Sequence, residues 1–245
     1  MGVPRYETDP IVEALCEFAF ASTAQWDPTV FGAFRSAVGD AVLPIREAGE
    51  VVDVLVETTE EGVRQHTRRL QRMRFFSADR SRLAQVGENL LIANVLRPYP
   101  HWGPFRAFIL QTLEAYESAA KPDGIDRLTL RYIDKLPLGA DGAPLGEWIR
   151  FESPYLPAFL ADAVARGFSR VEKPVVGGTE ALTLVLEEHK GERVLTLDTE
   201  LVVAPHALDR VALAATLDAL HERVVEIFEA CISDRTRAML RPLGD

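Results

Sequence analysis

The chain has 245 residues, 47% of them hydrophobic and 26% charged, and a formal net charge of −10. Such a composition fills a globular core and argues against intrinsic disorder; at this length a compact fold hides roughly 70–75% of the surface its unfolded chain exposes. The excess of 37 acidic over 27 basic side chains repels a phosphate backbone and makes nucleic acid an unfavoured partner, and with no run of 18 apolar residues a membrane-spanning helix is not expected.

After the turn-prone Asp9-Pro10, residues 11–20 alternate as a strand. Val12, Ala14, Cys16, Phe18 and Phe20 share one face, and Glu13, Leu15 and Glu17 the other. Asp27 as N-cap and Pro28 at the first helical position predict a short helix over about 28–38, with apolar Val30, Phe31 and Phe34. Residues 51–76 read as a hairpin turning at Glu60-Glu61-Gly62. SRLAQV at 81–86 is a brief strand, Gly87-Glu88-Asn89 turns the chain, and LLIANVL at 90–96 is a buried strand. A helix over about 103–119 then carries Trp102, Phe105, Ile109, Leu113 and Tyr116 along one stripe.

The order then begins again. Residues 125–138 form a strand, short helical pieces fall at 146–151 and 155–164, and strands follow near 166–175, 180–188 and 193–203. The longest helix, about 208–231, places Leu217, Leu220, Val224, Phe228 and Cys231 on its core stripe, and a further turn or two capped at Ser233 closes the chain. The expectation is an α+β protein: an antiparallel sheet with long helices packed on one face and a two-fold internal repeat. Residues 1–122 make a β-α-β(4)-α half and 123–245 a β-α-β(3)-α half plus a C-terminal helix. The halves join near 121–124 and form one compact unit. The repeat lies in element order, not in the letters; by analogy it suggests a TATA-binding-protein-like or helix-grip-like arrangement, which carries no function with it.

Cys16 and Cys231 belong to no CxxC or Cys/His cluster and sit inside apolar patterns, as buried reduced thiols do. With an amino terminus, MGVPRYETDP, that lacks an apolar signal core, they predict a cytoplasmic protein.

Five phrases carry a resemblance: PIVEALCEF at 10–18, FFSADRSRLAQVGENLLIANVLRPYPHW at 75–102, LRYID at 130–134, LDTE at 197–200 and HERVVEIFEACISDRTRAM at 221–239. Together, spanning nearly the whole chain, they resemble a sporadically distributed bacterial and archaeal family of about this length whose function is uncharacterised. The resemblance implies an accessory, horizontally spread gene serving a neighbouring defence or biosynthetic system. It implies no reaction and no catalytic residues.

Standard motifs are absent: no phosphate loop, no GxGxxG, GxSxG, HExxH or EF-hand loop. HERVVE at 221–226 lacks the second histidine of a zinc helix, and no two histidines stand at ligand spacing, so no metal and no cofactor is expected. Between 64 and 82 lie Arg64, Arg68, Arg69, Arg72, Arg74, Arg80 and Arg82 against one acid, Asp79. Guanidinium forks suit phosphates and carboxylates. Yet Glu50, Asp53, Glu57, Glu60 and Glu61 precede them and can pair across strands. Arg72 and Arg74 are kept as anion-site candidates, and pairing is favoured.

A polar strand face is the second feature. In RVLTLDTELVV, Thr196, Asp198 and Glu200 oppose Leu195, Leu197 and Leu201; in LTLRYID, Thr129 and Arg131 oppose Leu128, Leu130 and Tyr132. With Glu13 and Glu17 they make a carboxylate-and-arginine floor, which either binds a ligand or is a solvated face of compensating charges. His221 falls within the last core stripe and reads as a buried neutral histidine bonded to a carbonyl, whereas His101, beside Trp102 at a strand-to-helix corner, is the more exposed candidate.

Without nucleophile, metal or phosphate motifs, the leading expectation is a non-enzymatic binding or adaptor protein acting with a protein or peptide encoded nearby. A homodimer stays open. The alternatives are a small-molecule or peptide-modifying enzyme using the polar sheet face, and a nucleic-acid-associated regulator using the arginine-rich hairpin.

Overall fold

A computed structural model describes residues 5–23, 25–59, 62–139, 142–150, 166–189, 191–204 and 209–243, with backbone only for those in 50–70 and for His189. Among them are nine strands: β1 (Ile11–Ala21), β2 (Ile45–Thr59), β3 (Gly62–Phe76), β4 (Arg82–Gly87), β5 (Leu90–Leu96), β6 (Gly124–Leu138), β7 (Gly167–Val175), β8 (Gly178–His189) and β9 (Glu192–Val203). Four helices accompany them: α1 (Thr29–Val38), α2 (Trp102–Ala120), α3 (Arg210–Cys231) and α4 (Asp234–Leu240). All pairings between these strands are antiparallel, in one sheet of order β2-β3-β4-β5-β1-β6-β9-β8-β7. From the central β1–β6 pair the order runs outward through β5, β4, β3 and β2 on one side and β9, β8 and β7 on the other.

Period-two alternation decides which face each strand buries. Ala14, Cys16, Phe18 and Phe20 of β1 are buried with Leu128, Leu130 and Tyr132 of β6 against α1, α2 and α3. Phe105, Ile109, Leu113 and Tyr116 form the fully buried stripe of α2, as their spacing predicts, and Leu213, Leu217 and Val224 that of α3. A second cluster joins Leu136 and Leu138 of β6, Leu184 and Leu186 of β8, Leu195 and Leu197 of β9, and Leu240 of α4. Each large side chain so buried contributes roughly 1.5–3 kcal/mol over its exposed state. All four helices therefore lie on one face of the sheet, and no described helix covers the other.

Local chemistry fixes the ends. The Asp27 carboxylate accepts from Thr29 N at 2.8 Å, so α1 starts one residue after the predicted proline. Asp209 accepts from Val211 N and Ala212 N at the start of α3, and Ser233 caps α4. The β7–β8 hairpin turns through Val176-Gly177, with Gly177 at φ 79°; a Cβ on Gly178 would sit 1.9 Å from the Val202 carbonyl oxygen, so only glycine fits there.

Some expectations shift. The predicted hairpin starts earlier, at Ile45, and part of its turn, Glu60-Glu61, lies outside the described residues. The piece at 146–151 reduces to one 3₁₀ turn, Leu145–Glu147, and the piece at 155–164 also lies outside them. Phe228 is only half-buried, because it borders a cavity.

Candidate functional site

The polar face gathers most of the sequence candidates. Arg131 of β6 stands opposite Glu200 of β9 and forks onto the neighbouring Asp198, at 2.7 and 2.6 Å. Glu13 of β1 accepts from Asn94 Nδ2 at 2.6 Å, and Asn94 Oδ1 accepts from Gln85 at 3.1 Å. Glu17 pairs with Arg127 at 2.6 Å, and Glu200 lies 3.5 Å from Arg170 of β7, which also holds Glu172 at 2.7 Å and Thr183 at 3.1 Å. The charges on this floor meet one another across strands. The bond from Asp198 holds the Arg131 guanidinium more firmly in its charged form, burial opposing.

The arginine-rich stretch is β3, antiparallel to the acidic β2. Its register sets Asp53 opposite Arg68, Glu57 opposite Arg64 and Glu47 opposite Arg74. Glu47 bonds Arg80 at 2.7 Å and lies 3.4 Å from Arg74. Arg72 faces Gly49 and Gly87 and has no acid in register. Arg72 and Arg74 share the polar face with Gln85, but three strands separate β3 from β6.

His101 is elsewhere, at the entrance of a cavity of about 570 Å³ on the helix face. It holds φ 68° just before α2 and meets Arg5 Nη2 through Nε2 at 3.1 Å. The cavity opens where the two hydrophobic clusters part. Along β6 the helix-facing positions run Leu128, Leu130, Tyr132, Asp134, Leu136 and Leu138; the first three belong to one cluster, the last two to the other, and Asp134 falls between them.

The segment before β1 closes one side. It is tied to the C-terminus by Thr8 N to the Leu240 carbonyl (3.1 Å), and Tyr6 donates its hydroxyl to Glu229 of α3. Arg97 donates to the carbonyls of Asp9 and Pro10 at 3.2 and 3.3 Å. Opposite stands an aromatic wall. The Tyr99 and Tyr132 hydroxyls meet at 2.8 Å, Tyr132 continues to His221 Nδ1 at 3.2 Å, and the Trp102 indole stacks on His221 at 4.4 Å. Trp102 Nε1 donates to Asp218 at 2.8 Å, and Arg106 holds the same carboxylate.

Asp134 is 3% exposed, its carboxyl reached by no hydrogen bond or ion pair from a described residue. Burial pushes it up to about 8, with the charges of Asp9 and Asp198 adding. Burial likewise raises Asp9, against the bond it accepts from Ile11 N. His221 is pushed down to about 4 by burial, so it is neutral at pH 7, as the sequence predicts; its partner is the Tyr132 hydroxyl rather than a carbonyl. Both thiols are free, Cys16 buried and Cys231 pushed up to about 11 by burial.

Chemically, the cavity offers a carboxyl that donates while protonated and accepts once ionised, beside aromatic faces. Among the described residues no group of three or more His, Cys, Asp or Glu is placed to hold a metal ion, and no helix is long and apolar enough to cross a membrane. Sequence reasoning passed over Asp134, yet its signal is in IDRLTLRYIDKLPL: an aspartate with the parity of Leu130 and Leu136. Asp9 and Tyr99 carried no signal, because they reach the cavity from separate parts of the chain. No family model, no curated protein and no solved structure matches the chain.

Proposed function

We propose that this chain is a non-enzymatic binding protein that takes a ligand, free or presented by a partner protein or peptide, into the cavity between α2, α3, β6 and the segment before β1. One observation carries the reading: Asp134 is buried without a partner among the described residues and opens on an aromatic-walled space of the size that holds a small molecule. Buried acids in native folds are paired unless something else uses them. The accessory role in a neighbouring defence or biosynthetic system belongs to the same proposal, as does a cytoplasmic location, which suits two free thiols. Duplication of a β-α-β-α half, in a TATA-binding-protein-like manner, is supported by the strand order running outward from the β1–β6 pair.

The test is a thermal-shift screen of a fragment library on the protein and on Val225→Trp, which fills the cavity from α3. Binding at this site raises the melting temperature of the first protein and not of the second; hits indifferent to Val225→Trp place the ligand elsewhere. A second reading, acid–base catalysis, draws on an Asp134 carboxyl poised near neutral pH. Mass spectrometry of the hits after incubation separates the two, since only an enzyme changes their mass.

A further inference from the structure

Asp134 is the only carboxylate among the described residues with less than a tenth of its surface exposed. Asp9 before β1 and Asp198 of β9, across the sheet, raise Asp134, and Asp134 in turn raises Tyr132 beside it, Tyr99 of the β5–α2 connection and Cys231 of α3. None is a cation. The arginines nearby are engaged: Arg106 with Asp218 at 2.8 Å, Arg237 with Glu229 at 2.9 Å and Arg97 with backbone carbonyls.

The described lining holds five carboxyls, Asp9, Asp134, Asp218, Glu222 and Glu229, against Arg5 as its one lysine or arginine; His101 and His221 complete its titratable groups besides tyrosines. The remaining wall is aromatic and aliphatic, led by Trp102, Tyr99, Phe228 and Val225. Arg106 and Arg237 answer Asp218 and Glu229, so the negative charge of the rim rests on Asp9 and Glu222 against Arg5, and it draws in cations to that extent. Aromatic faces hold an ammonium once it is desolvated. Among the described residues no cation faces Asp134, so its ionised form has a counter-charge to gain.

We propose that the cavity binds an organic amine, whose ammonium group pairs with the Asp134 carboxylate while its apolar body packs against Trp102, Tyr99 and Phe228. This inference rests on the binding-protein reading above. A free arylalkylamine and the lysine side chain of a peptide present the same head group. Before the amine arrives Asp134 holds a proton at pH 7; the ammonium keeps its own protons, and the Asp134 proton leaves to solvent.

The experiment is calorimetric titration of the full chain with 2-phenylethylamine, with the peptide acetyl-Gly-Lys-Gly-amide and with neutral 2-phenylethanol, each in two buffers of different ionisation enthalpy. Amine binding at pH 7 is expected to release about 0.9 proton, the protonated share of a group with a pKa of about 8. Affinity should rise close to tenfold from pH 6 to pH 7 and level off above pH 8, because only the ionised carboxylate is competent. Asp134→Asn should weaken the amine about 10- to 100-fold and remove both the proton release and the pH dependence. A tighter phenylethylamine identifies a free ligand, and a tighter peptide a partner's lysine. Amine binding without proton release, or no amine binding at all, overturns the inference; neither readout depends on a variant that folds. Should 2-phenylethanol bind as well as the amine, and lose its site in Val225→Trp, the amine is refuted and the binding protein stands. If no compound responds to Val225→Trp, both fall.

Discussion

The two faces of the sheet treat charge in opposite ways. On the polar face Arg131 forks onto Asp198, Glu13 takes Asn94, and Arg170 reaches Glu172 and Glu200, so acids and bases meet across strands. On the helix face the same strand, β6, delivers Asp134 into an apolar layer where no described residue answers it. Paired charges at half-exposed positions are what a stable sheet surface needs and imply nothing further. An unanswered acid in a core is costly, and a fold keeps one where a ligand or a proton uses it. Charge density is thus a poor guide to the site, and a missing partner a better one.

The largest expected effect separates packed core from cavity wall. Leu217→Ala, at a fully buried position of α3, should cost about 2–5 kcal/mol in urea unfolding. Phe228→Ala, eleven residues on and half-buried at the cavity, should cost less than half as much as Leu217→Ala. Equal losses would mean that Phe228 is core and that the cavity closes in solution.

Next in size is the pH dependence of stability. Asp134 has a folded pKa of about 8, above its unfolded value, so the folded state holds an extra proton and loses stability as pH rises towards 8. His221 has a folded pKa of about 4, below its unfolded value near 6.5, so its contribution grows as pH rises from about 4 to about 6.5. The two oppose each other in that lower window. Between about 6.5 and 8 only the Asp134 loss remains, at most about 1.4 kcal/mol per pH unit. Asp134→Asn should remove that fall and leave the His221 rise uncovered. Urea midpoints at pH 4.5, 6.5 and 8 measure both; an unmodified protein more stable at pH 8 than at 6.5 would break the contrast between the faces.

A smaller effect sharpens the polar side. Arg131→Met keeps much of the stem and leaves Asp198, whose side chain is 13% exposed, without its fork. The loss should be about 1–2 kcal/mol, with a similar coupling to Asp198→Asn in a double-mutant cycle. Amine binding in the cavity should weaken only slightly in Arg131→Met, through the charge of the freed Asp198 acting on Asp134 across the sheet; a loss as large as that in Asp134→Asn would mean that the two faces are not independent.

The smallest expected signal is none. Polarisation titration with duplex DNA at physiological salt should show no binding, given a net charge of −10 and the acids of β2 in register with the arginines of β3. Submicromolar, salt-sensitive binding would mean that those arginines are not neutralised.

By itself the sequence determined what is local. Period-two alternation in IVEALCEFAF and LTLRYID selected the buried face of β1 and β6, and helical spacing from Trp102 to Tyr116 selected that of α2. Cross-strand pairing of β3 with β2 was legible too, because a hairpin joins neighbours in sequence and its charges alternate in step. Tertiary structure alone decided that β1 and β6, more than a hundred residues apart, pair at the centre of the sheet, since antiparallel register over such a loop leaves no local trace. It alone decided the cavity as well. Asp9, Tyr99 with Trp102, Asp134 and His221 come from four separate parts of the chain, and only the parting of two hydrophobic clusters around Asp134 brings them to one space. A site made where packing stops leaves in the sequence only one acid out of step on an apolar face, because burial and the absence of a partner are properties of the assembled layers and not of any segment.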